Sequence, residues 1–340
     1  MTGNMVHKPG SVTTSESARG PVAGCRGWPA SFISRRSAAQ IQFLGRVVGE
    51  GVYLLSRSRR LITCRNLRFV HPEWSGRRIR TFSREVFHHF GITLIEMLQM
   101  AGLSRKECRD RIRIRGEEHL ERALNEGRGI IIISAHLGNW ETALQLYPLF
   151  FEKSMVGVAK PFGPAVVDQW VHRFRSRFGN RILYTKGALR EMTRTLREGN
   201  AVGIMIDMAR NKHGIPVRFF GREVSATPAA ALLALRCKSP VIPVFCVRDP
   251  DGGLTVQAEP PVPIRKTSNF RDDLQFNTQV MTDVVERAVG RNPQQWYWMQ
   301  KRWKTFFPEL YPEYFAARKR RKARKQALKD GAIRQPDRPS

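Results

Sequence analysis

The chain has 340 residues, enough for one large domain with short appendages. Its 58 basic residues outnumber 29 acidic ones, and the net charge of +29 favours polyanionic partners: an anionic membrane, an acidic carrier protein or a nucleic acid. The five cysteines are odd in number and form no Cys-x-x-Cys pair, so they indicate neither a disulfide framework nor a zinc site, and the sequence lacks P-loop, dinucleotide-binding and nucleic-acid-binding signatures.

The N-terminal part divides into two segments. Residues 1–37 are rich in small and turn-forming residues, lack the apolar run of a signal peptide, and are predicted to be a disordered basic segment. In residues 38–72 an apolar stretch, Ile41–Leu55, is broken by Arg46 and Glu50 and is shorter than the roughly 20 residues a membrane span needs. We therefore predict an interfacial amphipathic helix with a basic flank; the alternative is a core helix.

The remainder alternates helical and strand patterns. Helical spacing occurs at 77–101, 117–127, 142–151, 166–178, 189–197, 228–237 and 270–290, and apolar strand patterns occur at 130–133, 155–159, 181–184, 201–206, 241–247 and 254–258. This alternation predicts an α/β domain over 73–315, with a central mostly parallel sheet flanked by helices, followed by a basic disordered tail, 316–340. Trp296, Trp298 and Trp303 indicate either an interfacial belt or burial in the core.

The run Ile130–Ile133 is typical of a strand buried on both faces, and His136 follows its carboxyl end. Ligands of open α/β sheets bind at that edge. Glu141 lies five residues after His136, in the first turn of a helix that Asn139 is predicted to cap. An imidazole held by a carboxylate is a general base, which predicts acid–base catalysis; the alternative is a polar residue satisfied at a strand end.

The segment Ser134–Glu141 resembles the His-x4-Asp/Glu motif of the lysophospholipid acyltransferase superfamily, and its flanks are similar to the bacterial lipid A biosynthesis (late) acyltransferases. Further segments agree, in order, over about residues 40 to 310: Val158–Pro161, Leu196–Gly199, Ile204–Asp207, Val217–Gly221, Ala226–Pro228, Val241–Phe245 and Asn292–Lys304. The chain departs from the family pattern at Met208, where a glutamine usually follows the aspartate.

The resemblance implies an acyltransferase fold and transfer of an acyl group from a thioester to a hydroxyl of a membrane glycolipid. His136 would be the general base and Glu141 would orient it, with backbone N–H groups after His136 as candidate oxyanion donors. Lys160, Arg175 and Arg177 would bind acceptor phosphates. Asp207 would orient the acceptor or pair with a cation of the site.

The same resemblance implies acyl-carrier protein, or acyl-CoA, as donor and an anionic membrane glycolipid as acceptor, with no nucleic-acid partner, metal or other cofactor. It places the protein at the cytoplasmic face of the bacterial inner membrane, peripheral or weakly anchored. Two alternatives remain open: another acceptor, such as a phosphoinositide mannoside or a lysophospholipid, or a non-catalytic basic protein that binds membranes or nucleic acid.

Overall fold

A computed structural model describes residues 28–159, 163–184, 187–210 and 213–329. The helices are α1 Trp28–Ser34, α2 Ala38–Leu55, α3 Arg57–Val70, α4 Gly76–Gly102, α5 Arg105–Asp110, α6 Glu117–Asn125, α7 Trp140–Phe150, α8 Ala165–Ser176, α9 Ala188–Arg197, α10 Ala229–Cys237, α11 Phe270–Arg291 and α12 Pro312–Lys329. The strands are β1 Ile112–Arg115, β2 Ile130–Ser134, β3 Met155–Ala159, β4 Arg181–Tyr184, β5 Ala201–Met205, β6 Ile215–Phe219, β7 Arg222–Ala226, β8 Val241–Arg248 and β9 Leu254–Ala258.

The main sheet has the strand order β1-β9-β8-β2-β5-β3-β4. All of its pairs are parallel except β8 with β9, and β6 pairs with β7 in a separate antiparallel hairpin. Strand β2 lies between β8 and β5 and is buried along its whole length, as its isoleucine run predicts. The predicted α/β fold with a mostly parallel sheet is therefore confirmed.

The register of β2 and β5 decides what meets at the carboxyl edge. Ser134 is opposite Met205, and the Ile206 N–H donates to the Ser134 carbonyl at 3.0 Å. His136 and Asp207 each follow these paired residues by two positions. Parallel pairing thus brings together two polar side chains that are 71 positions apart in sequence.

Seven elements differ from the sequence prediction. Strands β1, β6 and β7 and helix α5 form where no element was predicted, and α3 forms where we expected only a basic flank. Helix α1 and most of α12 form inside segments predicted to be disordered. Helix α1 is held by packing: Ala30 is buried, and a Cβ on Gly102 of α4 would lie 2.5 Å from the Ala30 carbonyl oxygen. Tertiary contact, rather than local propensity, orders this helix. The rest of the two predicted disordered segments, 1–27 and 330–340, lies outside the described residues.

Helix α2 has two faces. It begins at a capping box of Ser37 and Gln40, and its glycine face packs on α4 so closely that a Cβ on Gly49 would lie 2.3 Å from the Phe87 carbonyl oxygen. The opposite face leaves large apolar side chains in solvent: Phe43 is 67% exposed, Val47 55% and Leu54 63%. Within the described ranges, every helix is too short or too polar to cross a membrane.

The tryptophan-rich segment after α11 is part of the core. Trp296, Trp298 and Trp303 are each at most 1% exposed and pack against one another and against Phe219. The prediction of an interfacial belt is therefore wrong, and the alternative prediction, burial in the core, is correct. Their apolar area helps to fix the C-terminal part of the chain on the sheet.

We expect Gly91→Ala to destabilise the protein by about 1–3 kcal/mol, because its Cβ would lie 2.2 Å from the Gly45 carbonyl oxygen. Gly51→Ala is the matched control in the neighbouring helix, since a Cβ there meets nothing within 4 Å and should stabilise by up to about 1 kcal/mol. Denaturant unfolding measures both. Equal destabilisation by the two substitutions would contradict the close α2–α4 packing.

Candidate active site

His136 and Asp207 form the centre of the site at the carboxyl edge of β2 and β5. The His136 Nδ1 atom lies 2.8 Å from the Asp207 Oδ1 atom, and the His136 backbone N–H donates to Oδ2 at 2.9 Å. The His136 side chain is 23% exposed, whereas the Asp207 side chain is fully buried. The carboxylate thus fixes the ring from within the protein, while part of the ring remains open to solvent.

The Asp207 carboxylate accepts two further hydrogen bonds. Trp296 Nε1 donates to Oδ2 at 2.9 Å and Gln300 Nε2 at 3.2 Å. Burial alone would raise the pKa of this carboxyl, but the charge of His136 and these hydrogen bonds outweigh burial and hold that pKa below its ordinary value. Asp207 is therefore an ionised positioning group, and its full burial argues against the predicted contact with the acceptor.

The same pair of residues also shifts the pKa of the His136 imidazole. Burial would lower the pKa of His136, but the charge and hydrogen bond of Asp207, with a smaller contribution from Glu141, raise it above 6.5. A carboxylate on Nδ1 fixes the tautomer whose Nε2 is unprotonated and able to take a proton. This arrangement suits a general base whose protonated form is stabilised.

Glu141 is paired with an arginine. Its carboxylate makes a two-point ion pair with Arg175, at 2.8 Å from Nε and 2.6 Å from Nη2, and also accepts from Trp140 Nε1 at 3.1 Å. The carboxylate that contacts the His136 ring is that of Asp207, and we therefore propose Asp207 rather than Glu141 as the group that orients the ring. Glu141 acts on His136 through its charge and holds Arg175 at the start of α7.

The other predicted phosphate ligands are distributed differently. Arg175 is 21% exposed, and its ion pair with Glu141 holds it beside the site. The Arg177 guanidinium donates to the Met100 carbonyl and the Cys108 sulfur, and it stacks on neighbouring phenylalanines. These contacts tie Arg177 to the packing of α8 against α4 and α5, which gives no support to a phosphate-binding role. Lys160 lies outside the described residues.

The backbone after His136 is mostly engaged. The N–H groups of Leu137, Gly138 and Asn139 donate to the carbonyls of Ala135, Gln295 and Cys246, respectively, and Asn139 caps α7 through the Thr142 N–H, as predicted. Those donors are therefore not available to a substrate oxyanion. Among the predicted donors, the first-turn N–H groups of Trp140 and Glu141 remain as candidates, because the first helical N–H groups have no intrahelical acceptor.

A buried polar cluster that the sequence did not predict makes hydrogen bonds to the turn after His136. Arg248 on β8 makes two hydrogen bonds of 2.6 Å to Glu96 on α4, and both side chains are at most 5% exposed. Glu96 accepts from Asn139 Nδ2 at 2.9 Å, and the Thr93 hydroxyl lies 3.0 Å from the Gly138 carbonyl oxygen. A carboxylate within the apolar stripe of α4 and an arginine ending an apolar strand are the signals that could have revealed the pair.

His89 completes the cluster in its neutral form. Its Nδ1 accepts from Arg248 Nη1 at 2.9 Å, and burial, with the nearby arginine charge, lowers the pKa of His89 to about 3. A protonated His89 would place two cations together in the interior. In the described part of the chain, no group of three or more His, Cys, Asp or Glu side chains is placed to bind a metal ion.

Comparison with known proteins identifies the relatives of this chain. A family model of bacterial lipid A biosynthesis acyltransferases matches residues 33–305. The chain is similar to lipid A biosynthesis lauroyltransferase of Escherichia coli, at 24% identity over 80% of this chain and 87% of the relative. It is also similar to the palmitoleoyltransferase of that organism, at 23% over 77% and 84%, and to phosphatidylinositol mannoside acyltransferase of Mycolicibacterium smegmatis, at 25% over 55% and 60%.

We expect Asp207→Asn to lower kcat by about 10²- to 10⁴-fold, because the amide neither fixes the tautomer nor stabilises the imidazolium. His136 must be neutral to accept a proton, so activity rises with pH through its pKa. Since Asp207 raises that pKa, the substitution should move the acid limb of kcat/KM to lower pH. Glu141→Gln, measured alongside, should give smaller changes, and an equal or larger effect would restore Glu141 as the orienting carboxylate.

We expect Thr93→Val to lower kcat by about ten- to a hundredfold with the KM for donor unchanged, because the turn after His136 loses a support. Thr93→Ser keeps the hydroxyl and should retain activity. Thr282→Val is the matched control: that threonine is equally buried in a helix and bonds the Thr278 carbonyl away from the site. If Thr282→Val lowers kcat as much, Thr93 supports only stability.

Proposed function

The chain belongs to the bacterial lipid A biosynthesis acyltransferase family, and from that premise we propose that it moves a fatty acyl group from an acyl-carrier-protein thioester to a hydroxyl of a lipid A-type glycolipid. That it is an O-acyltransferase follows from the family. One observation supports the residue assignment: a partly exposed imidazole is held by a buried, ionised carboxylate at the edge where α/β sheets bind ligands.

In the proposed reaction His136 Nε2 removes the proton of the acceptor hydroxyl as its oxygen attacks the thioester carbonyl carbon. Asp207 stabilises the imidazolium through Nδ1–H. The tetrahedral oxyanion accepts hydrogen bonds from the first-turn N–H groups of α7. It then collapses, the carbon–sulfur bond breaks, and the imidazolium returns its proton to the leaving thiolate, so that an ester and a free thiol result.

Arg175 is the residue that we assign to acceptor phosphate. Glu141 occupies its Nε and Nη2 atoms, which holds the guanidinium plane in place and leaves Nη1 for a phosphate oxygen. Lys160 follows β3 in the chain and is assigned the same role on sequence grounds. Acyl-CoA is the alternative thioester, and the high positive charge of the chain suits an acidic carrier protein better.

A second acceptor class has a specific observation in its favour. Relatives named phosphatidylinositol mannoside acyltransferases are 25–26% identical over 195–198 residues, close to the identity with the lipid A enzymes but over less of the chain. Both acceptors are anionic glycolipids with free hydroxyls. The proposed mechanism is the same for either one, and the acceptor is what the assay must decide.

The proposed location is peripheral, at the cytoplasmic face of the bacterial inner membrane. The exposed stripe of Phe43, Val47 and Leu54 on α2 supports it, since such side chains in a row on one helix face suit the headgroup boundary. Arginines follow this helix at 57, 59 and 60 and suit anionic headgroups. The proposal thus combines both alternatives for 38–72, because α2 packs on the core with one face and is open on the other.

We expect the purified protein in detergent to acylate a lipid A precursor from acyl-carrier-protein thioester, and His136→Ala to abolish this transfer, because the base is lost. The assay measures labelled acyl lipid and offers acyl-CoA, a phosphoinositide mannoside and a lysophospholipid in parallel. His172→Ala is the control, since that histidine is half-buried on α8 and stacks on Tyr184. Transfer only to another lipid would overturn the acceptor, and undiminished transfer by His136→Ala would overturn the base.

A further inference from the structure

Helix α12 leaves the body of the protein after its first turn. Tyr311, just before it, is buried, and Tyr314 and Phe315 are half-buried against the core. From Ala316 to Arg320 every side chain is exposed, and the helix continues to Lys329. The fourteen residues from Ala316 to Lys329 span about 21 Å as a helix.

The projecting part carries charge of a single sign. Between Ala316 and Lys329 there are eight lysines and arginines and no acidic residue. Its few apolar residues are mainly alanines, so it offers neither a stripe that would pair with another helix nor one that would enter a bilayer. A helix of this composition interacts by electrostatic attraction to a polyanion.

The base of α12 shows which polyanion fits. Glu313 in its first turn makes a two-point ion pair with Arg65 of α3, and Arg57 acts on the same carboxylate, which holds the pKa of Glu313 at about 2. Arg57 begins α3, two residues after the end of α2, where Leu54 is 63% exposed and Leu55 is 89% exposed. The basic helix therefore begins beside the exposed apolar stripe.

We propose that α12 binds the anionic headgroups of a membrane, next to the place where the exposed apolar side chains of α2 enter the headgroup boundary. This inference rests on the membrane location proposed above. A nucleic acid has anionic charge but no counterpart for exposed Phe43, Val47, Leu54 and Leu55. A bilayer with anionic lipids offers both an apolar boundary and surface charge. The pairing of an apolar stripe with a basic helix is thus the feature that favours lipid.

The test compares vesicle binding and acyl transfer for three full-length proteins. The docking variant is Arg318→Glu/Lys319→Glu/Arg320→Glu, and the matched control is Arg190→Glu/Arg197→Glu/Arg236→Glu, which reverses three exposed arginines on α9 and α10. Binding is measured by sedimentation with vesicles of neutral lipid alone and with a quarter of anionic lipid, at low and high salt. We expect the docking variant to lose about 100-fold in partitioning to anionic vesicles, and the control to lose far less.

Acyl transfer separates docking from catalysis. With acceptor embedded in anionic vesicles the docking variant should be slow, and with acceptor in neutral detergent micelles it should match the wild type, since α12 is not part of the site. The wild-type advantage on vesicles should shrink at high salt, because screening weakens the attraction.

Three results would overturn the inference: unchanged vesicle binding by the docking variant, a loss confined to binding of double-stranded DNA measured in parallel, or a raised KM for acyl-carrier protein in micelles, which would assign the helix to the carrier. Failure of the proposed function gives a different result. In that case the wild type transfers no acyl group in micelles, while the difference between the variants in vesicle binding persists. Phe43→Ser/Leu54→Ser tests the α2 stripe separately, and should weaken binding to neutral and anionic vesicles alike.

Discussion

The buried carboxylate of Asp207 is an ion without solvent, and four donors surround it. Two come from His136, one from Trp296 and one from Gln300. Moving a carboxylate out of water costs several kcal/mol unless such bonds replace its hydration. The edge of β2, the end of β5 and the C-terminal tryptophan segment therefore converge on one charge, and catalytic geometry and folding are satisfied by the same set of bonds.

A second buried ion lies close to the first. The Arg302 side chain is fully buried, stacks on Phe219, and has Nε and Nη2 without a hydrogen-bond partner among the described residues. Burial lowers the pKa of Arg302 to about 10, and the charge of Asp207 opposes that fall. The interior near the site thus contains an anion and a cation whose charges favour each other.

Much of this architecture was predictable because the central strands are buried on both faces. Continuous apolar runs located β2, β5 and β8, and the polar residues that follow them marked the edge where the site lies. The partner of His136 was not predictable in the same way. Glu141 is near His136 in sequence, whereas Asp207 becomes its neighbour only because β5 pairs with β2. The order of strands in a sheet cannot be predicted from a local sequence pattern.

Other features that the sequence left open or did not predict also arise from contacts between distant segments. Helix α1 is ordered by α4, the tryptophans are buried because Phe219 lies beside them, and Glu96 finds Arg248 across 152 positions. The local sequence around each of these residues does not indicate its distant partner. In contrast, the cap of α7 by Asn139 could be predicted from the sequence, because capping is a local bond.

The glycine contact between α2 and α4 has a geometric consequence. The two backbones touch, so α2 has little freedom to roll or slide on α4. The same helix, α4, carries Thr93 and Glu96, which hold the turn behind His136. In the proposed membrane location this packing would hold His136 at a constant height relative to the lipid. The proposed enzyme would then select an acceptor hydroxyl by its distance from the bilayer as well as by its chemistry.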